Sequence, residues 1–185
     1  MTLTQAALPG QSLLTKALLV VAGSLFIAAA AQVQVPMWPV PVTMQTLAVL
    51  IVGFAYGSRL GGATVLAYLA EGAAGLPVFA GLGSAPALVG PTAGFLYGFV
   101  AMAFFAGLAA DAGLKKVLPL ALAGIAVSAA LYIPGLAWPA LTMDVSVADL
   151  LSGWMKPFLI GDAVKAVLAA VIVAGGWSLL AKRRV

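Results

Sequence analysis

Long runs of apolar residues, broken by short polar or proline-rich segments, form the main pattern along the chain. Six runs approach one bilayer thickness, at residues 16–35, 43–57, 60–75, 91–110, 117–138 and 158–180. A hydrocarbon core about 30 Å thick is crossed by roughly 20 helical residues, so the pattern predicts six transmembrane helices. The first run also has features of a secretory signal, because it begins with a basic residue, Lys16, which is followed by an apolar core and then by four alanines. The apolar runs after it favour the first span of a multi-pass protein.

The segments between the runs predict turns, loops and one short helix. Three prolines within six residues rule out a continuous helix in 35–43, which we expect to be a loop or extended. Residues 76–90, apolar but broken by Gly and Pro, predict a structured loop packed against protein. Pro134 predicts the end or a kink of the fifth helix, and Ser146 is the expected N-cap of a short surface helix in the following connection. Residues 1–15 are mildly polar, and we expect them to be loose.

Composition supports a membrane protein and excludes several functional classes. Hydrophobic residues make up 64% of the 185 residues and charged residues 8%, whereas about a quarter of the residues of a soluble domain are charged. Cysteine and histidine are both missing from the sequence, which removes disulfides, thiolate metal sites and the commonest general base. We therefore predict one all-α integral membrane domain over residues 1–185, with no metal and no catalytic site. The net charge of +4 does not require nucleic acid, because basic residues mark the cytoplasmic loops of membrane proteins.

Basic residues are distributed unevenly between the two sides of the predicted bundle. With six spans both termini share one side, and Lys156 is the basic residue of a loop on the opposite side. By the positive-inside rule the termini are predicted to be cytoplasmic. Loops 33–43, 75–90 and 138–157 are then external. The terminal side receives seven basic residues: Lys16, Arg59, Lys115, Lys116, Lys182, Arg183 and Arg184.

Two opposite charges, Asp162 and Lys165, interrupt the last apolar run. Residues at i and i+3 share a helix face, so an acceptor and a donor face the same small volume. One charged residue in a span costs about 2.5–3.5 kcal/mol on insertion scales, and such residues usually have a function. We interpret the pair as part of a hydrogen-bonding bowl open to the outside, with Phe79 and the tryptophans of the outer loops as apolar walls. Other polar residues fall at the same predicted depth: Gln32, Gln34, Thr43, Gln45, Thr46, Tyr68, Glu71 and Thr92.

Each of these positions also has a purely structural explanation. Asp162 and Lys165 could form an ion pair that joins helices. Gln45 could cap or bridge helices, as polar residues of bundles do, and Glu71 could be solvated near the interface. The tryptophans could form an interfacial belt. The polar residues share one predicted depth, and this agreement favours a binding site. The adjacent acceptor and donor suit a ligand group with N–H and C=O on one edge, such as a urea or an amide.

Four motifs occur in order along the chain: VPVTMQTLAVLIVGFAYGSRLG, YLAEGAAGLPVFAG, GPTAGFLYGF and PFLIGDAVKAVLAA. Together they resemble the biotin-specific S component of energy-coupling factor (ECF) transporters, the BioY family. The resemblance implies a six-helix S-component fold and capture of biotin from outside the bacterial cytoplasmic membrane. It also implies a transmembrane T component and two cytoplasmic ATPases as partners. ATP would be used by these partners only, and this chain would need no cofactor.

The resemblance also carries binding residues onto matching positions. It implies that Asp162, Lys165 and Gln45 bind the ligand, that Phe79 covers the pocket, and that the helix start at Thr92–Gly94 faces the ligand. Tyr68 and Glu71 are added to these candidate binding residues because they lie at the same predicted depth. S components often dock on the T component through a small-x-x-x-small face of the first span. Here the corresponding sequence is Ser24-x-x-x-Ala28.

Three other functions are weighed against a substrate-binding subunit. A carrier that acts without partners, possibly as a homo-oligomer, would have the same pocket. An intramembrane enzyme would need a carboxylate pair such as Glu71 and Asp162 sharing a proton, but Lys165 would keep Asp162 ionised. A structural membrane protein leaves the outer polar cluster unexplained. The chain has no P-loop motif, so ATP use would fall to partners.

Overall fold

The computed structural model describes residues 1–182 and shows a bundle of helices joined by short connections. Arg183 and Arg184, which contribute to the predicted charge asymmetry, lie outside the described residues. A two-stranded antiparallel hairpin pairs β1 with β2, Gln34 opposite Thr43. The elements are α1 (Leu3–Ala7), α2 (Leu13–Gln32), β1 (Gln34–Val35), β2 (Val42–Thr43), α3 (Gln45–Tyr56), α4 (Ser58–Ala73), α5 (Ala93–Asp111), α6 (Val117–Thr142), α7 (Val147–Asp149) and α8 (Leu159–Lys182).

Four helices within residues 1–182 are long and apolar enough to cross a membrane, namely α2, α5, α6 and α8. The prediction of a helical membrane protein is therefore confirmed. α3 has 12 residues and α4 has 16. At 1.5 Å per residue α3 is about 18 Å long, shorter than a hydrocarbon core of about 30 Å. Six spans remain a prediction.

α3 occupies the centre of the bundle. It contacts α2, α4, α5 and α8, and the side chains of Val49, Leu50 and Phe54 are fully buried. α5 packs between α4 and α6, and α6 packs against α8. α2 lies at the edge, with Leu14, Leu18 and other leucines exposed. Because α3 is surrounded by other helices, its polar N-terminal end, which begins at Gln45, lies inside the bundle.

The turn between α3 and α4 is held closely against the end of α5. Gly57 joins the two helices with a φ of 85°, a conformation that glycine adopts without a steric penalty. The Asp111 carboxylate at the end of α5 accepts hydrogen bonds from the Ser58 backbone N–H (3.0 Å) and hydroxyl (2.6 Å). A Cβ atom at Gly107 would collide with the Ser58 backbone. Any side chain at position 107 should therefore separate α5 from this turn.

The structure confirms the character of three connecting segments. Residues 33–43 form the hairpin, and residues 76–90 form an ordered loop with two short 3-10 turns. The Ser146 hydroxyl accepts a hydrogen bond from the backbone N–H of Asp149 (3.2 Å) and so caps α7. α7 continues into a π-helical turn over Leu150–Met155.

Two expectations about element boundaries are wrong. Residues 1–15 are not loose, because Thr2 and Gln5 form a capping box that starts α1, and Thr2 is only 1% exposed. α6 does not end near Trp138 but continues through Pro134 and Pro139 to Thr142. Proline is tolerated inside membrane helices because neighbouring groups satisfy the freed carbonyls.

The small-residue motif of α2 faces the interior. Ser24 is fully buried, and its hydroxyl donates to Glu71 Oε1 at 2.6 Å. A Cβ atom at Gly23 would lie 2.7 Å from a methyl carbon of Thr64. Ser24 therefore helps to pack α2 on α4, whereas Ala28 is half-buried, and docking through Ser24-x-x-x-Ala28 remains a prediction.

Candidate functional site

A cavity of about 70 Å³ lies among α3, α5, α6 and α8, beside the hairpin. One part of its wall is polar and the other is aliphatic and aromatic. The polar part consists of Thr43, Gln45, Thr46, Thr92, Asp162 and Lys165. The apolar part consists of Val40, Pro41, Phe95, Leu96, Phe99, Leu131, Tyr132 and Phe158.

Asp162 is the centre of the polar wall. Its Oδ1 accepts hydrogen bonds from Lys165 Nζ and from the Thr46 hydroxyl, both at 3.2 Å. Its Oδ2 accepts a hydrogen bond from the Tyr132 hydroxyl at 2.6 Å. Asp162 and Lys165 are both buried, with 6% and 7% exposure. Asp162 lies in the first turn of α8, where the positive end of the helix dipole also favours a carboxylate.

Three helices therefore fix the orientation of one carboxylate. Thr46 comes from α3, Tyr132 from α6 and Lys165 from α8 itself. Buried charge is tolerated only when it is paired and hydrogen-bonded, and this arrangement meets that condition. The second lone pair of Oδ2 and the two remaining protons of the Lys165 ammonium are available to a ligand.

Gln45 connects the cavity to the loop after α4. Its Oε1 accepts a hydrogen bond from the Thr43 hydroxyl (2.9 Å), and its Nε2 donates to the Tyr68 hydroxyl (2.8 Å). The Tyr68 hydroxyl in turn donates to the backbone carbonyl of Val78 (3.1 Å). The rings of Tyr68 and Phe79 pack edge to face, with centroids 5.2 Å apart. Both are buried, so they hold the 76–90 loop on the bundle.

Aromatic side chains from α5, α6 and the start of α8 line the apolar wall. Phe95 and Tyr132 pack edge to face with ring centroids 6.1 Å apart, and Phe99 and Phe158 complete the surface. Such a wall suits an aliphatic or ring-shaped ligand body that carries one compact polar group. The arrangement has the chemistry needed to bind and orient a small amphipathic molecule.

Of the eight residues predicted for the site, four line the cavity: Gln45, Thr92, Asp162 and Lys165. Tyr68 and Phe79 lie behind Gln45, in supporting positions. Gly94 packs against α6, because a Cβ atom there would collide with the Pro134 carbonyl.

Glu71 also lies away from the cavity wall. Its Oε1 accepts from Ser24 on α2, and its buried Oε2 has no hydrogen-bond partner among residues 1–182. Asp162 is bonded to Thr46, Tyr132 and Lys165 instead. The carboxylate pair that an intramembrane enzyme would need is therefore not formed.

Sequence reasoning missed Tyr132 and the phenylalanines. A tyrosine inside an apolar run is common in membrane helices, so its hydroxyl gave no distinct signal. The signal that could have found it is helical spacing: Tyr132 is one helical turn (i+4) after Ser128, and both are buried polar residues of α6.

Comparison with known proteins agrees with this architecture. The model of the BioY family matches residues 4–182. A relative from Pyrococcus horikoshii, described as a probable biotin transporter BioY, is 38% identical over 144 residues, covering 77% of this chain and 83% of the relative. The biotin transporter BioY of Thermotoga maritima is 36% identical over 146 residues, with the same two coverages. The chain belongs to the BioY family. The resemblance carried by the four motifs is confirmed.

The fold of this BioY-family chain matches a solved structure. The crystal structure of the S-component for biotin from an ECF-type ABC transporter superposes with a TM-score of 0.73. The match covers 89% of this chain and 93% of that chain at 22% identity. The two share the S-component fold. Membership of a transporter family also agrees with the expectation that the chain is not an enzyme.

Proposed function

We propose that the chain is the membrane-embedded biotin-binding component of an ECF uptake transporter. The observation that carries this proposal is the buried Asp162–Lys165 pair on the wall of the interior cavity. The ureido ring of biotin offers N–H and C=O groups on one compact edge. Asp162 accepts from a ureido N–H, and Lys165 donates to the ureido oxygen. The relatives named as biotin transporters support the choice of ligand.

The carboxylate end of biotin lies toward the start of α5. Near Asp162 a second carboxylate would be repelled, whereas a helix N-terminus favours an anion. At this N-terminus the Ala93 N–H donates to Gly90 and the Phe95 N–H to Thr92. The Gly94 N–H has no hydrogen-bond partner among residues 1–182. Together with the Thr92 hydroxyl, it is the donor we assign to the carboxylate.

Entry of biotin requires the hairpin to move. The cavity of about 70 Å³ is well below the roughly 300–1,000 Å³ of ordinary ligand pockets. Val40 and Pro41 are the wall residues contributed by the hairpin turn, which is joined to the bundle by short strands. We propose that this turn moves outward to admit biotin and closes over it.

Cysteine labelling tests this movement, since the chain contains no cysteine. A cysteine replacing Val40 should react with a maleimide in the absence of biotin and become protected when biotin is bound. Trp38 is 88% exposed in the same hairpin and does not line the cavity, so a cysteine there is the matched control. Equal biotin protection at both positions, or at neither, would contradict a closing hairpin.

The side of the membrane follows from the basic end of the bundle. Lys16 and Arg59 line one cavity, α1 packs on α3 and α8, and Lys115 lies 4.1 Å above the ring of Trp177 near the end of α8. We propose that this end faces the cytoplasm of a bacterium, with six spans and both termini inside. The T component and two ATPases then supply the energy for release, in keeping with the ECF-type assembly named for the structural neighbour.

Topology is tested by a cysteine replacing Ser84, in the 76–90 loop. It should react with an impermeant maleimide added outside intact cells and not with one added to the outside of inverted membrane vesicles, where the cytoplasmic face is exposed. A cysteine replacing Ser12, before α2, should show the reverse. Labelling of position 84 only from the cytoplasmic side would contradict the six-span orientation.

Function itself is tested by native mass spectrometry of the purified protein. We expect a co-purified molecule with the mass of biotin. Calorimetry with the ligand-free protein then measures the Kd for added biotin. Uptake of labelled biotin in a host without T component and ATPases separates a dependent subunit from a carrier that acts alone. We expect binding without sustained uptake in that host.

A further inference from the structure

Two openings at the basic end of the bundle share one residue, Arg59. The first is a polar cavity of about 490 Å³, and the second is an apolar groove of about 680 Å³ between α4 and α5. Arg59, the second residue of α4, lines both. The polar cavity is formed by Gln5, Gln11, Lys16, Tyr56, Ser58 and Asp111 with their neighbours. The groove is formed by Gly62, Ala63, Leu66, Ala101, Phe104 and Phe105 with their neighbours.

The polar cavity holds donors that lack protein partners. Lys16 and Arg59 form no ion pair within residues 1–182, and the buried Nε2 of Gln11 has no hydrogen-bond partner there. One carboxylate faces the cavity, Asp111, and it already accepts two hydrogen bonds from Ser58. A cavity with two cations, an unused amide donor and one engaged carboxylate suits a group with a single negative charge.

The groove is apolar and open to the outside of the bundle. Two of its lining residues, Leu66 and Phe105, are 56% and 54% exposed, and the small residues Gly62 and Ala63 also line it. From Arg59 to Leu66 the axis of α4 rises about 10 Å. The groove therefore runs from a charged residue at the bundle end along an apolar face of the bundle.

A charged cavity that continues into an apolar groove matches an amphiphile. We propose that this surface binds an anionic phospholipid, with its phosphate between Arg59 and Lys16 and an acyl chain in the α4–α5 groove. A soluble anion would leave the groove without a role. A transmembrane helix of a partner would cover the groove but not reach the amide of Gln11. This site lies at the opposite end of the bundle from the biotin cavity and does not depend on the proposed function.

Native mass spectrometry of detergent-purified protein tests the proposal with two lipids, dioleoyl phosphatidylglycerol and dioleoyl phosphatidylcholine. The wild-type protein should retain phosphatidylglycerol in preference to phosphatidylcholine. Since a basic residue near an anionic lipid contributes about fivefold in affinity, Arg59→Gln and Lys16→Gln should each reduce phosphatidylglycerol retention by about that factor. Lys156→Gln removes the same charge at the opposite end and should leave retention unchanged.

The acyl-chain part is tested without changing charge. Ala63 is exposed in the groove, so Ala63→Leu fills it and should weaken retention of both lipids. Ala129→Leu is the control, because Ala129 is exposed on α6 and lines none of the openings described above. Equal retention of the two lipids by the wild type would overturn the proposal, as would loss of lipid in Lys156→Gln equal to that in Arg59→Gln. Displacement of phosphatidylglycerol by millimolar inorganic phosphate would assign the cavity to a free anion and also overturn it.

Discussion

Replacing Asp162 with Asn should weaken biotin binding by about 1.5–3 kcal/mol, the range for a hydrogen bond to a charged group. The amide keeps the shape of the side chain but loses its charge. Because an NH₂ group replaces one carboxylate oxygen, the Asn side chain can no longer accept both the hydrogen bond from Tyr132 and the one from Lys165. Calorimetry with the purified variant measures the loss, and circular dichroism and size-exclusion chromatography establish that the bundle remains folded.

A structural ion pair would respond differently. Removing one partner of a buried pair leaves an uncompensated charge and costs about 3–5 kcal/mol of folding stability. In that case Asp162→Asn and Lys165→Met would each aggregate, and the double variant would recover folding. We expect both single variants to purify as folded protein and the double variant to remain unable to bind biotin. Tyr132→Phe, which removes one donor to Asp162 without changing charge, should lose less affinity than Asp162→Asn.

That several polar residues meet at one level of the bundle could be predicted from sequence. Asp162, Lys165 and Gln45 are polar residues inside apolar runs, and such residues are retained only where a partner or a ligand satisfies them. Their distance from the run ends fixed their depth. The structure brings Gln45, Thr92, Asp162 and Lys165 onto one wall.

The direction in which each side chain points could not be predicted in the same way. Glu71 has the expected depth, but its carboxylate reaches α2, where it meets Ser24, 47 residues earlier in the chain. Tyr68 turns toward Val78 and Gln45 rather than the cavity. The direction in which a side chain points around its helix axis depends on which neighbours the helix packs against. A helix that is apolar on all sides has no amphipathic stripe to indicate this direction.

Local sequence signals alone do not decide where elements begin and end, because packing can override them. The Thr2–Gln5 capping box is present in the sequence, but a single turn of helix at a polar terminus is stable only because α1 packs on α3 and α8. Pro134 breaks helices in water because it removes a backbone hydrogen bond. Inside the bundle α6 nevertheless continues through Pro134 to Thr142, because neighbouring groups in a membrane bundle can satisfy the freed carbonyl.

The second large effect concerns which end of biotin meets Lys165. Lys165→Met keeps the length of the side chain but removes the donor, so we expect a loss of about 1.5–3 kcal/mol in biotin binding. Desthiobiotin retains the ureido ring and should suffer the same loss. Biotin amide, whose carboxylate is blocked, should bind the wild-type protein less tightly, because it loses the contact at the start of α5.

The distinguishing measurement is the pair of Lys165→Met affinities for biotin and for biotin amide. If Lys165 donates to the ureido oxygen, the variant loses the same factor for both ligands, and the effects of mutation and amidation add as independent changes do. Thr92→Val should behave in the opposite way, with its effect disappearing for biotin amide. If Lys165→Met has no effect on biotin amide while Thr92→Val retains its effect, Lys165 contacts the carboxylate and biotin binds in the reverse orientation. The negative charge of Asp162 argues against that orientation. Its carboxylate lies 3.2 Å from Lys165 Nζ and would repel a ligand carboxylate bound at the same place.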